Sequence, residues 1–407
     1  MAGAGKGRGA KAERNDRSDD RVRTLEQLLA TKEIVISCGS GGVGKTTTAA
    51  AAGAMAAAHL GGKVLVLTVD PARRLATALG LEEFGNTETR VPQELFTEAG
   101  VEPRGELWAA MLDTKQSWDD LIRQHAPNEA IREQILANSL YQNISARFVQ
   151  SHDYIAMERL YEIHSSGVYD LIVVDTPPTR NAIDFLEAPD RMGEFFSSKL
   201  LRWLTAPTKS RVMTLASKPF YTVADRILGS QFLEDIAEFF SLFQTMAPGF
   251  VERAAAVSRT LSDRRTTFLV VSTLEAAPLH EAEYFIAALD ERKLHLGALV
   301  LNKVLPAYLR RTATTGVAKR LCADADDLAA ALAAGDDPVD GGQQADVARF
   351  LRTIGESFLN YQVVAKREAE QRASLARSPD VVAAVPYFDS DIADLRGLLA
   401  LGEQIWR

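Results

Sequence analysis

The stretch EIVISCGSGGVGKTTTAAAAGAM, residues 33–55, constrains the fold more than any other part of the chain. A short β-rich apolar run feeds directly into Gly39–Thr46, which fit the pattern G-x-x-x-x-G-K-[ST], and an Ala-rich helical stretch follows. A strand before and a helix after are the context that gives this pattern meaning. Its glycines let the backbone curl into a nest of N–H donors around phosphate oxygens, and the N-terminus of the following helix adds its positive end. Lys45 stands where an ammonium neutralises β/γ-phosphates, and Thr46 where a hydroxyl meets Mg²⁺. The candidate phosphate-binding residues are Gly39, Ser40, Gly41, Gly42, Val43, Gly44, Lys45, Thr46 and Thr47.

Such a loop requires a parallel sheet, and the rest of the chain supplies one. Apolar runs at 33–37, 63–70, 106–112, 169–175, 266–272, 296–302 and 381–387 alternate with helical patterns. Most are continuously apolar, as strands are when helices cover both faces. The expected class is α/β: a P-loop NTPase with a mainly parallel, doubly wound sheet. Two long intervals without strands, about 115–165 and about 187–262, predict a helical subdomain formed by insertions. Residues 1–23 are charged, Gly/Ala/Arg-rich and short of anything to bury, so they read as a disordered tail before an ATPase-sized domain over 24–407. The acidic, Gly-containing stretch 322–346 reads as a surface excursion with one short helix.

Carboxylates at the C-terminal ends of parallel strands face the ligand crevice. Asp70 ends the second run in LTVDPARRLATALG, and Asp175 ends the fourth in LIVVDTPPTRNAIDFL. Asp175 fits the Mg²⁺-supporting carboxylate.

With these stretches placed, the chain resembles the ArsA-type anion-pump ATPases and the related cytosolic ATPases that deliver tail-anchored membrane proteins. GSGGVGKTT resembles their deviant phosphate loop, DPARRL their first switch and DTPPTRNAIDFL their second. STLEAAPLHEAE, LVLNKVLP and VPYFDSDI match weaker blocks. The resemblance implies an ATP-driven dimer whose helical subdomains open and close with nucleotide state, with ATP and Mg²⁺ as ligands. It implies that Asp70 polarises the attacking water, that Thr46, Asp70 and Asp175 attend the metal, that Asn302 reads the adenine edge and that Pro386 walls its pocket.

The departures are as informative. The family usually carries a lysine at Ser40, and that lysine reaches the partner's phosphates across the dimer. Serine has no such charge, and losing a trans-acting cation of this kind removes about 10³–10⁵ in rate. Three readings follow: a lysine-bearing paralogue completes the site in a heterodimer, Arg180 or Arg73 substitutes in place of a homodimer's lysine, or the chain binds ATP and turns it over poorly. Two cysteines, Cys38 and Cys322, are too few for an arsenite-binding triad and form no C-x-x-C for a zinc staple, so arsenite efflux is disfavoured.

Nine of the 17 phenylalanines fall between Phe185 and Phe250. Phe232, Ile236, Phe239, Phe243 and Met246 share one helical face, and Met192, Phe195, Phe196, Leu200 and Trp203 another. These faces serve either as the subdomain's core or as a groove for an apolar-helix client. The net charge of −8 disfavours broad nucleic-acid binding. No signal peptide or membrane-spanning run is found, and the amphipathic DLRGLLALGEQIWR reads as a packing helix, so the expectation is a cytoplasmic protein with at most transient membrane contact. The other classes are a non-catalytic, nucleotide-gated regulatory subunit and a ParA/MinD-like positioning ATPase.

Overall fold

The computed structural model describes residues 24–69, 73–81, 85–144, 151–177, 182–197, 230–334, 341–374 and 379–406. Within these, eight strands form one sheet: β1 (Ile34–Cys38), β2 (Gly62–Thr68), β3 (Thr89–Arg90), β4 (Gly105–Met111), β5 (Leu171–Asp175), β6 (Thr266–Ser272), β7 (Leu296–Val304) and β8 (Val381–Pro386). Their order across the sheet is β3-β4-β2-β5-β1-β6-β7-β8. Every pairing is parallel except β3 against β4, which is antiparallel at one edge. β1, which feeds the glycine-rich loop, therefore lies inside the sheet, with β5 on one side and β6 on the other.

The helices in chain order are α1 (Leu25–Leu29), α2 (Lys45–His59), α3 (Arg73–Ala78), α4 (Gln93–Glu98), α5 (Thr114–His125), α6 (Glu129–Ala137), α7 (Ser139–Ile144), α8 (Ser151–Ser166), α9 (Ala182–Ser197) and α10 (Ser230–Leu261). They continue as α11 (Ala276–Glu291), α12 (Thr312–Ala323), α13 (Ala325–Ala333), α14 (Gly341–Ser374) and α15 (Leu395–Trp406).

Side chains alternate across a strand, so each central strand feeds two cores. Ile34, Ile36, Leu65, Leu67, Ile172, Val174, Phe268 and Val270 join the core beneath α5, α8, α10 and α11. Val35, Val64, Val66, Leu171, Val173, Leu269 and Val271 join the core beneath α2 and α15. Helix α2 lies tight on the sheet because it is built of small residues: a Cβ on Gly53 would meet Val66 Cγ2 at 2.4 Å. The C-terminal amphipathic stretch is α15, whose Leu398, Leu401, Ile405 and Trp406 are buried.

The helical layer contains α5–α8 between β4 and β5, and α9 and α10 between β5 and β6. Phe239, Phe243 and Met246 of α10 are buried in this conformation, and Phe243 and Phe250 surround Trp118 with ring centroids 6.5 and 6.1 Å away. Phe195 of α9 is 41% exposed and contacts Phe240. The side chains of Phe196, Phe232 and Ile236, and all of Leu200 and Trp203, lie outside the described residues. So do the tail 1–23 and residues 335–340 of the acidic stretch; the remainder of that stretch is the end of α12, α13 and the start of α14.

Candidate functional site

The site begins where β1 stops. After Cys38 the chain turns back over its own strand end, and the turn needs residues without side chains. Gly44, at φ +95°, is left-handed, and a Cβ there would meet Asn302 Nδ2 at 2.4 Å. Gly42 is also left-handed, at φ +79°, but faces open space. Helix α2 then starts at Lys45 with its first N–H groups directed back into the loop, the arrangement that suits an anion.

Lys45 is only 7% exposed, and its Nζ donates to Ser40 O at 3.1 Å, so the ammonium is folded into its own loop. The Thr46 hydroxyl donates to Asp175 Oδ2 at 2.6 Å, and Thr68 Oγ1 donates to the same oxygen at 3.1 Å. Asp175 is fully buried. Both hydroxyls meet one carboxylate oxygen, and they pin the end of β5 beside the start of α2. Thr176 adds a tie from β5 to β1, its Oγ1 donating to Ser37 O at 2.8 Å.

Ser40, where the resemblance leads one to expect a lysine, is 8% exposed, and its Oγ has no hydrogen-bond partner. The same holds for Thr273 Oγ1 just past β6. Buried hydroxyls are nearly always satisfied, so the unpartnered Ser40 hydroxyl inside this loop suits an oxygen-rich ligand. Cys38 is buried, and desolvation pushes its thiol up to about 12, which makes it an inert core group.

On the other side, β7 loses its register with β8 between Leu301 and Val304. That irregularity turns two residues onto the loop. Asn302 Nδ2 donates to Val43 O at 2.8 Å, while its Oδ1 accepts from Lys303 N at 2.9 Å. Lys303 is left-handed at φ +57°, one of two such non-glycine residues among those described, and its Nζ donates to Gly42 O at 3.2 Å. A positive φ on lysine is strained, and strain of this kind concentrates at functional sites.

The structure thus brings Gly39–Thr47, Asp175 and Asn302 together. Pro386 ends β8, with Tyr387 N donating to Val304 O at 3.2 Å, one strand further out. Asp70 and Arg180 lie outside the described residues, as does the side chain of Arg73. Sequence reasoning passed over Lys303 and Thr273. Both sit in stretches with a visible signal, LVLNKVLP and STLEAAP, but neither left-handed backbone nor an unpartnered hydroxyl can be seen in a string of residues.

A family model described as the anion-transporting ATPase matches residues 32–321. A putative arsenical pump-driving ATPase of Aquifex aeolicus is 28% identical over 269 residues, covering 66% of this chain and 79% of the relative. ATPase GET3 of Podospora anserina is 25% identical over 295 residues, covering 70% and 78%. An uncharacterized protein of Streptomyces coelicolor is 29% identical over 269 residues, covering 66% and 61%.

Proposed function

Because the chain belongs to the anion-transporting ATPase family, we propose that it is an ATP-binding and ATP-hydrolysing switch whose nucleotide sits on Gly39–Thr47. The observation that carries this reading is the 2.6 Å contact between Thr46 Oγ1 and the buried Asp175 carboxylate at the mouth of the glycine turn. A hydroxyl and a carboxylate are the hard oxygen donors that Mg²⁺ takes. Among the described residues no group of three or more His, Cys, Asp or Glu forms a metal cage.

The chain's own residues then divide the work. Lys45 exchanges Ser40 O for the β/γ-phosphates. The orphaned Ser40 hydroxyl and the loop N–H groups donate to phosphate oxygens. Thr46 and Asp175 would hold Mg²⁺, which would supply charge neutralisation at the phosphates. Asp70, by resemblance, orients the attacking water. Asn302 serves first as a brace, since its amide fixes Val43 O behind the loop, and by resemblance its outer edge and Pro386 border the adenine.

The family resemblance makes the working unit a dimer. With serine at position 40, the cation expected to act across that dimer comes from a lysine-bearing paralogue in a heterodimer, and Lys303 brings a further positive charge to the loop in cis. Movement of the α5–α10 layer is the output, and an apolar-helix client is the proposed cargo. In this conformation Phe239, Phe243 and Met246 are covered, so a groove requires the layer to open. No described helix is long and apolar enough to cross a membrane, and the proposed location is the cytoplasm.

Adding the purified lysine-bearing paralogue should raise turnover roughly tenfold or more; no change would refute the heterodimer. A second reading, a nucleotide-gated regulatory subunit, is favoured by the buried, uncharged Ser40. Single-turnover cleavage that stays slow with partner and client present would select it. The positioning-ATPase alternative gains no support from the family match.

A further inference from the structure

The buried part of β2 is apolar from Val64 to Leu67 and then ends on a polar residue, Thr68, which is fully buried as well. A hydroxyl at such a point needs an acceptor, and the pleat decides which one it meets. Alternate residues of a strand share a face. Val64 and Val66 of β2 join the core beneath α2, as do Leu171 and Val173 of β5, so Thr68 and Asp175 turn to that same face. They are also direct neighbours across the parallel ladder, Thr68 opposite Asp175. Helix α2 closes over them with Thr46 in its first turn. Side chains far apart in sequence thus converge on one oxygen, with Thr46 Oγ1 at 2.6 Å and Thr68 Oγ1 at 3.1 Å from Asp175 Oδ2.

The two hydroxyls are not equivalent. Thr46 is half-buried at the mouth of the glycine turn, whereas Thr68 has no exposed surface. The Thr68 hydroxyl therefore acts on Asp175 and is shut off from any ligand in the crevice. Both hydroxyls donate to Oδ2, which for Thr46 turns the lone pairs of its oxygen towards a cation. For Asp175, two donors on one oxygen fix the rotation of the carboxylate plane. The backbone holds the second donor in place: Val69 N donates to Asp175 O at 3.0 Å, and Leu112 N donates to Thr68 O at 2.9 Å.

We infer that Thr68 is a positioning residue for magnesium. It touches neither metal nor nucleotide; its hydroxyl orients the Asp175 carboxylate so that Asp175 and Thr46 present their oxygens already set. This inference rests on the proposed reading of the glycine turn as an Mg·ATP site. Groups that orient a metal's ligands in this way typically change metal affinity about 10–100-fold. Thr68 also stands two residues before Asp70, so the same hydroxyl ties the strand leading to Asp70 to the metal carboxylate.

The test is calorimetry of a β,γ-imido ATP analogue binding to the full chain, in EDTA and in saturating Mg²⁺, for wild type, Thr68→Val, Thr68→Ala and Thr68→Ser. The ratio of the two dissociation constants measures what the metal adds and needs no turnover. In wild type the metal should tighten binding. Thr68→Val, which keeps the shape of the side chain, and Thr68→Ala should each cut that gain about tenfold, with binding in EDTA unchanged. Thr68→Ser keeps the hydroxyl and loses the methyl, and it should retain the gain. A packing role would instead group Ser with Ala and spare Val. A tie that merely holds β2 to β5 would lower the urea midpoints of Val and Ala and leave the ratio untouched. Either pattern overturns the inference, as does a loss of binding in EDTA equal to the loss in Mg²⁺. If wild type shows the metal's gain and Thr68→Val matches it, this inference alone falls. If wild type takes up no analogue, or gains nothing from Mg²⁺, the Mg·ATP reading falls and this inference with it.

Discussion

Replacing Gly44 with alanine tests the loop's geometry at its tightest point. The residue is left-handed, which costs an alanine about 1–2 kcal/mol. Its new Cβ would lie 2.4 Å from Asn302 Nδ2, so the amide must swing away and give up its 2.8 Å bond to Val43 O. Losing that bond adds about 0.5–1.5 kcal/mol, and more where the carbonyl is left buried without a donor. The whole effect is then about 1.5–3.5 kcal/mol, as the sum of strain and the lost bond. Gly42→Ala is the control: its φ is also positive, yet nothing lies within 4 Å of the new methyl, so only the strain of about 1–2 kcal/mol remains. Urea unfolding gives both numbers, and a fluorescent ATP analogue reports whether the loop still binds. In an Asn302→Ala background the collision partner is gone, and Gly44→Ala should fall to the cost seen at Gly42. Equal costs at the two glycines, or a Gly44→Ala cost unchanged without Asn302, would refute the reasoning.

Asp175→Asn keeps an oxygen for the Thr46 and Thr68 hydroxyls but removes the charge; metal-dependent ATP turnover should fall about 10–100-fold, while metal-free nucleotide binding persists, as titrations with and without Mg²⁺ would show. With its thiol pushed up to about 12, Cys38 holds about one thiolate in 10⁴ at pH 8, so iodoacetamide and mass spectrometry should find label on the half-buried Cys322 alone until the protein is unfolded. Arg253 Nε lies 2.5 Å from the buried Glu158 Oε1, and Arg253→Met should destabilise by about 3–5 kcal/mol. Burial already raises the Glu158 pKa, and Arg253 is the leading influence that lowers it. Without the arginine the folded state therefore holds its proton to higher pH than the unfolded state does. The deficit should grow as pH rises through that folded pKa and shrink towards acid, so urea unfolding at about pH 5 and about pH 8 should differ; equal deficits would count against a buried charge as the cause.

The sheet was legible because burial on both faces writes itself as uninterrupted β-branched and leucine runs. EIVIS, KVLVLT, YDLIVV and TTFLVVS all appear as strands within a residue or two of their apolar limits. Strand β3 left no trace, since two polar residues paired at a sheet edge make no pattern. The glycine turn and Thr46 were readable from spacing because side-chain size and hydroxyl chemistry dictate them. What Asn302 and Lys303 do was not: a break in strand register and a left-handed lysine redirect them, and both arise from tertiary contact with the loop.

Calorimetric titration of ATP into the folded full chain, with and without Mg²⁺, tests the account most directly when run beside Lys45→Met. Saturable uptake of one ATP per chain, tighter with the metal and lost in Lys45→Met, is the predicted result. Folded wild-type protein that takes up no Mg·ATP, or a Lys45→Met variant that binds it equally well, would contradict it.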